Sequence, residues 1–131
     1  MEAAALVSVD VCREGNFTVQ NQNEVFALVE DAVLTNSHRA LTFEVTTTRR
    51  NGETIRLRFR TDSGAIADLA APRMGEWELV KAMARGDLSA EEYHQRLGEL
   101  AMARGKKLSK EAVLDAIGFF ADAKIAEERI D

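Results

Sequence analysis

Five arginines, Arg49, Arg50, Arg56, Arg58 and Arg60, fall within twelve residues, with Glu53 the single acid among them. A guanidinium offers a planar fork of donors, so several on one element can hold phosphates or carboxylates bidentately. This makes the segment a candidate site for an anion or an acidic partner. The competing explanation is a solvated sheet face or an edge strand guarded by charge. No outward aromatic interleaves the arginines, which weakens recognition of single-stranded bases.

Two other groupings suggest chemistry of a different kind. Glu91 and His94 form a Glu-x-x-His, the ligand pair of carboxylate di-iron bundles, but a second copy and two further carboxylates are needed and His38 has no glutamate three positions earlier. Asp10, Cys12 and His38 would make a base, nucleophile and orienter if they met, yet nothing in the sequence brings His38 to the other two. A lone cysteine at a strand end more often behaves as a small hydrophobe. No glycine-rich phosphate loop occurs. The reading is therefore of a protein without catalytic residues, cofactor or metal.

The strongest lead lies near the C-terminus. At 100° per residue, Val113, Leu114, Ile117, Phe120, Ala121 and Ile125 form one apolar arc of a helix, the arc expected to face the core. Ala116, Phe119, Ala123, Ala126 and Ile130 fall roughly opposite. A helix with two apolar stripes has two things to pack against, so Phe119, Ala123, Ala126 and Ile130 are the candidate partner-binding residues. The alternative is a central helix covered on both sides.

The elements that must position these residues can be read from periodicity. Residues 6–12 alternate with Val7, Val9 and Val11 on one face and Asp10 and Cys12 on the other, which predicts a strand. Residues 13–16 then make a turn, and 17–19 a short returning strand. Asn21 or Asn23 opens a helix whose inner face is Val25, Phe26, Leu28, Val29, Ala32 and Val33. Residues 35–38 end it.

The register of the hairpin over residues 41–61 follows from its turn. A two-residue Asn51-Gly52 turn would set Val45 against Arg58 and Phe43 against Arg60. A three-residue loop, Arg50-Asn51-Gly52 with Gly52 left-handed, sets Val45 against Leu57, Phe43 against Phe59 and Thr47 against Ile55. The second choice gives one apolar face. It also places Thr46, Glu44 and Thr42 opposite Arg56, Arg58 and Arg60 on the outward face.

From residue 62 the pattern is helical. Asp62 or Ser63 caps a short helix that Pro72 ends. Trp77, Val80, Met83 and Ala84 share a face of the next, which stops before Gly86. Ser89-Ala90-Glu91-Glu92 is a capping box with Leu88 and Tyr93 as its staple, and it opens a helix with Tyr93, Leu97, Leu100 and Ala101 inward that ends at Gly105. Ser109 opens the last helix, with Leu108 and Val113 as staple.

The chain has 131 residues, 46% hydrophobic and 30% charged, with 22 acidic and 17 basic side chains and a net charge of -5. That is one domain's worth of residues, read as 1–131 with a sheet-and-helix part (1–61) and a helical part (62–131). The acidic balance argues against a general nucleic-acid coat. One cysteine allows no internal bridge, and the first ten residues lack the basic start of a secretion signal, so the expected location is the cytoplasm. No unbroken apolar run of membrane-spanning length occurs.

Residues 77–100, centred on Gly86-Asp87-Leu88-Ser89-Ala90-Glu91-Glu92-Tyr93, resemble the helical-hairpin modules of bacterial proteins called SHOCT domains. Residues 58–117, a strand and then helices with a Gly-Asp-Leu-Ser turn, are loosely similar to phage tail assembly chaperones. Neither resemblance brings a catalytic residue, and neither assigns a family.

The expectation is an α+β protein, an antiparallel sheet with one inserted helix followed by a layer of three to four helices. Its expected role is non-catalytic: a protein that binds or assembles with other proteins, as an adaptor, chaperone or inhibitor of a larger partner, or as a homo-oligomer. The alternative is nucleic-acid binding by the arginine hairpin. No membrane partner is expected.

Overall fold

The computed structural model describes the backbone of residues 6–13, 17–19 and 21–128 and the side chains of residues 21–128. Four strands, β1 (Leu6–Arg13), β2 (Phe17–Val19), β3 (Ala40–Thr48) and β4 (Thr54–Asp62), form one sheet in the order β2-β1-β3-β4. Helix α1 (Gln22–Leu34) separates β2 from β3. Four helices follow: α2 (Ser63–Ala70), α3 (Glu76–Ala84), α4 (Ala90–Lys106) and α5 (Lys110–Glu127). The class is α+β, with helices after the sheet.

One pairing corrects the expected all-antiparallel sheet. The β1–β2 and β3–β4 pairs are antiparallel, but β1 and β3 run parallel, from Leu6 beside Ala40 to Cys12 beside Thr46. The cause is two successive reversals: β2 runs back against β1, and the connection through α1 turns the chain again, so β3 enters the sheet in the direction of β1. The sheet is mixed. The turn at residues 14–16 and the burial of Val7, Val9 and Val11 lie outside the described residues.

The β3–β4 hairpin has the three-residue loop. Val45 pairs with Leu57, Phe43 with Phe59 and Thr47 with Ile55. The loop closes where Arg49 N–H donates to the Glu53 carbonyl at 2.9 Å and Gly52 N–H to the Arg49 carbonyl at 2.9 Å. Gly52 sits at φ 87°, a left-handed conformation that a Cβ would penalise. On the inner face, Leu41, Phe43 and Val45 are completely buried, and the Phe43 and Phe59 rings stack at 5.2 Å.

That face is covered by α1, α2 and α5. Val25, Val29, Ala32 and Val33 of α1, Ile66 and Ala67 of α2, and Val113, Ala116, Ile117 and Ala121 of α5 join the β3 residues in one core. Two polar ties fix the sheet to α2. Arg39 N–H donates to buried Ser63 Oγ and Ser63 N–H to the Arg39 carbonyl, both at 2.8 Å. Asp62 Oδ1 caps α2 by accepting from Gly64 N–H at 2.7 Å.

The remaining two helices step outward. α4 packs on α1, and α3 packs chiefly on α4. Ser89 and Glu92 form the complete capping box of α4, which runs one residue past Gly105. The helical hairpin of α3 and α4 is anchored by Arg104, only 8% exposed, whose guanidinium donates to the Ala71 carbonyl through Nε and to Asp68 Oδ1 at 2.6 Å. Asp68 Oδ1 also accepts from Arg73 Nε at 2.9 Å, which keeps the Arg73 guanidinium more firmly protonated than usual.

Candidate interaction surfaces

The arginine hairpin presents its charge as the pairing requires. Arg56, Arg58 and Arg60 are exposed on the face opposite the core, across from Thr46, Glu44 and Thr42 of β3. Glu44 bridges two of them, with Oε2 at 3.0 Å from Arg58 Nε and Oε1 at 3.5 Å from Arg56 Nη1. One carboxylate therefore aligns two guanidinium groups and leaves most of their donors free. Arg49 and Arg50 are exposed at the loop. No aromatic interleaves the row, because Phe43 and Phe59 are on the inner face.

The C-terminal stripe is narrower than the spacing suggests. Phe119 is 61% exposed, and Ala123 and Ala126 are also exposed. Ala116, which the helical spacing groups with that stripe, is instead buried in the core. Ile130 lies outside the described residues. The expected inner arc holds: Val113, Ile117 and Ala121 are buried, and Leu114, Phe120 and Ile125 pack against them.

A second exposed apolar surface is on α3, where periodicity predicts the shared face but not its orientation. Helix α3 has no buried residue. Trp77 is 67% exposed and Met74, just before the helix, 69%; Val80 and Met83 are exposed as well. Half of the eight large hydrophobic side chains exposed among the described residues thus lie within residues 74–83. Leu79 and Ala82 are the half-buried apolar positions of α3, which packs on α4.

The groupings that suggested catalysis or metal binding are dispersed. His38 Nδ1 lies 3.1 Å from Asp62 Oδ1, and its Nε2 is 2.9 Å from Asn36 Oδ1. It therefore belongs to the capping end of α2. The parallel register puts Cys12 beside Thr46, six residues along β3 from Ala40, or about 20 Å at the rise of a strand. Cys12 and His38 are at opposite ends of the sheet. Glu91 is exposed in the first turn of α4, and His94 lines an open groove of about 410 Å³ with Tyr93, Arg73 and Glu76. Among the described residues, no three His, Cys, Asp or Glu side chains come together as a metal site.

Sequence reasoning missed Arg104. The signal was there, since Leu97, Ala101 and Arg104 stand at i, i+4 and i+7 and a charge on an apolar arc needs a buried partner. Compared with protein-family models, curated proteins and solved structures, the chain has no significant match. No described helix is long and apolar enough to cross a membrane.

Proposed function

We propose that this protein works by protein–protein contact and assembles with copies of itself through the outward face of α3. The observation that supports this reading is a helix with no buried residue, α3, which together with Met74 shortly before it exposes Trp77, Val80 and Met83 in one short segment. Exposed apolar clusters of this kind are characteristic of docking surfaces, and tryptophan is the residue most often found at their energetic centre. Fully burying one such side chain contributes about 1.5–3 kcal/mol, and these four are already partly covered. Set against an association cost of about 4–15 kcal/mol, a symmetric pair of these faces supports micromolar or weaker binding.

Trp77 is the chain's single tryptophan, so its emission reports directly on this face. Light scattering and fluorescence over a dilution series of about 1–300 μM, bracketing that affinity range, test the reading. The expected result is mass rising with concentration together with a blue shift of emission. Both should disappear in Val80→Glu, which keeps the fluorophore, and persist in Phe119→Glu. A wild-type monomer with red emission throughout removes self-association; loss of association in Phe119→Glu alone moves the contact to α5.

A further inference from the structure

The β4 strand is at the end of the sheet, and among the described residues no strand pairs with its outer side. β4 is last in the strand order, and among the described residues no backbone hydrogen bond from another element reaches residues 54–62 beyond those with β3. Its inner-face residues are incompletely covered. Ile55, Leu57 and Phe59 are partly exposed, whereas Val45 and Phe43, which pair with Leu57 and Phe59, are completely buried. The opposite face of the same strand carries Arg56, Arg58 and Arg60.

We infer that β4 accepts an extended acidic segment of another protein as a fifth strand. Three requirements select that partner. The unpaired backbone edge needs a strand, the form of recognition in which main-chain hydrogen bonds supply affinity and alternate side chains supply specificity. The row of arginines needs acids at every second position, since residues two apart on neighbouring strands advance by the same distance of about 6.7 Å. The partly exposed flank of Leu57 and Phe59 needs apolar residues at the positions between. The partner sequence is thus an alternation of acidic and β-branched or aromatic residues.

A second copy of β4 does not meet these requirements. Antiparallel pairing of Thr54–Asp62 with itself about Arg58 would set Arg58 against Arg58 and Arg56 against Arg60, and like charges directly opposite are destabilising. The arginines guard the edge against self-pairing while leaving it open to an acidic strand. Glu44 assists by holding Arg56 and Arg58 on the outer face.

The test uses the full chain and a fluorescent nonapeptide of alternating glutamate and valine. The control peptide has the same composition with glutamates and valines in two blocks. Two further peptides are N-methylated at every second residue, one in each frame. The expected result is saturable binding of the alternating peptide, at least tenfold weaker binding of the block peptide, and loss of binding on methylation in one frame only. Hydrogen exchange should slow at β4 amides on binding. Arg56→Thr/Arg58→Thr/Arg60→Thr, with its far-UV spectrum unchanged, should bind about tenfold more weakly, because each opposite-charge cross-strand pair is worth a small factor. Equal binding of the block peptide, insensitivity to methylation in both frames, or displacement of the alternating peptide by a single-stranded oligonucleotide bound at the same arginines would each overturn the inference. So would an alternating peptide that fails to bind at low salt.

Discussion

The sheet with α1, α2 and α5 and the hairpin of α3 and α4 are made of similar residues and put them to different uses. In the first region Leu41, Phe43, Val45, Val25, Val29, Ile66 and Ile117 are fully buried, so apolar side chains are the means by which the elements hold together. In the second, α3 buries nothing and α4 buries only Arg104. The hairpin is formed by local chemistry, the capping box at Ser89 and the left-handed Gly86 between the helices. It is tied to the body by the linked side chains of Arg104, Asp68, Arg73 and Glu76. A region fixed by caps and ion pairs can spare its apolar side chains for a partner, and one fixed by burial cannot.

Two equivalent truncations test the contrast directly. Phe43→Ala removes a fully buried ring and its stacking on Phe59, and should cost about 3–5 kcal/mol in urea unfolding of the diluted protein. Trp77→Ala, on a larger side chain, should change stability by no more than about 0.5 kcal/mol under the same conditions. A Trp77→Ala cost close to that of Phe43→Ala would mean that α3 is part of the core. The difference between the regions would then be wrong.

The next effect is intermediate and confined to one region. Arg104→Met keeps much of the side-chain volume but removes the donors to the Ala71 carbonyl and to Asp68. Leaving a buried carbonyl without its donor costs about 1–3 kcal/mol. Because this link lies at the base of the hairpin, amide exchange should accelerate in α3 and α4 and stay unchanged in β3 and β4. Uniform acceleration through both would show that the hairpin and the sheet open as one unit.

What was legible in the sequence follows the same division. Local chemistry is read well: the alternation of residues 41–61 and Gly52 fixed the register of β3 and β4, and Ser89 and Ser109 marked the starts of α4 and α5. The parallel pairing of β1 with β3 was not legible, because it depends on α1 delivering the chain to the free side of β1 rather than beside β2, and no side chain on either strand records that. Periodicity also says which residues share a face without saying what covers it. Hence Trp77, Val80 and Met83 form the expected face but are exposed to solvent, while Ala116, placed with the outer stripe, is buried in the core. The arginine row was found because its register is local, and the open edge beside it was not, because strand order is a property of the whole sheet.

The smallest effect expected is a pH dependence belonging to the hairpin alone. Glu92 is held below the usual carboxylate range by accepting the hydrogen bond from Ser89 N–H, with a further contribution from the Ser89 side chain, and Arg96 adds a weaker pull in the same direction. A carboxylate depressed in the folded state favours folding above its unfolded value, about 4.3 for glutamate, and that contribution fades as the pH falls through the lower folded value. Acidification from pH 6 should therefore loosen the first turn of α4. Glutamine can complete a capping box without titrating, so Glu92→Gln should remove the pH dependence and retain much of the cap. Exchange at the first amides of α4 in the two proteins, followed over about pH 3–6 around that glutamate value, measures the effect. If wild type and variant respond alike, the acid sensitivity of the hairpin does not come from Glu92 and its cap.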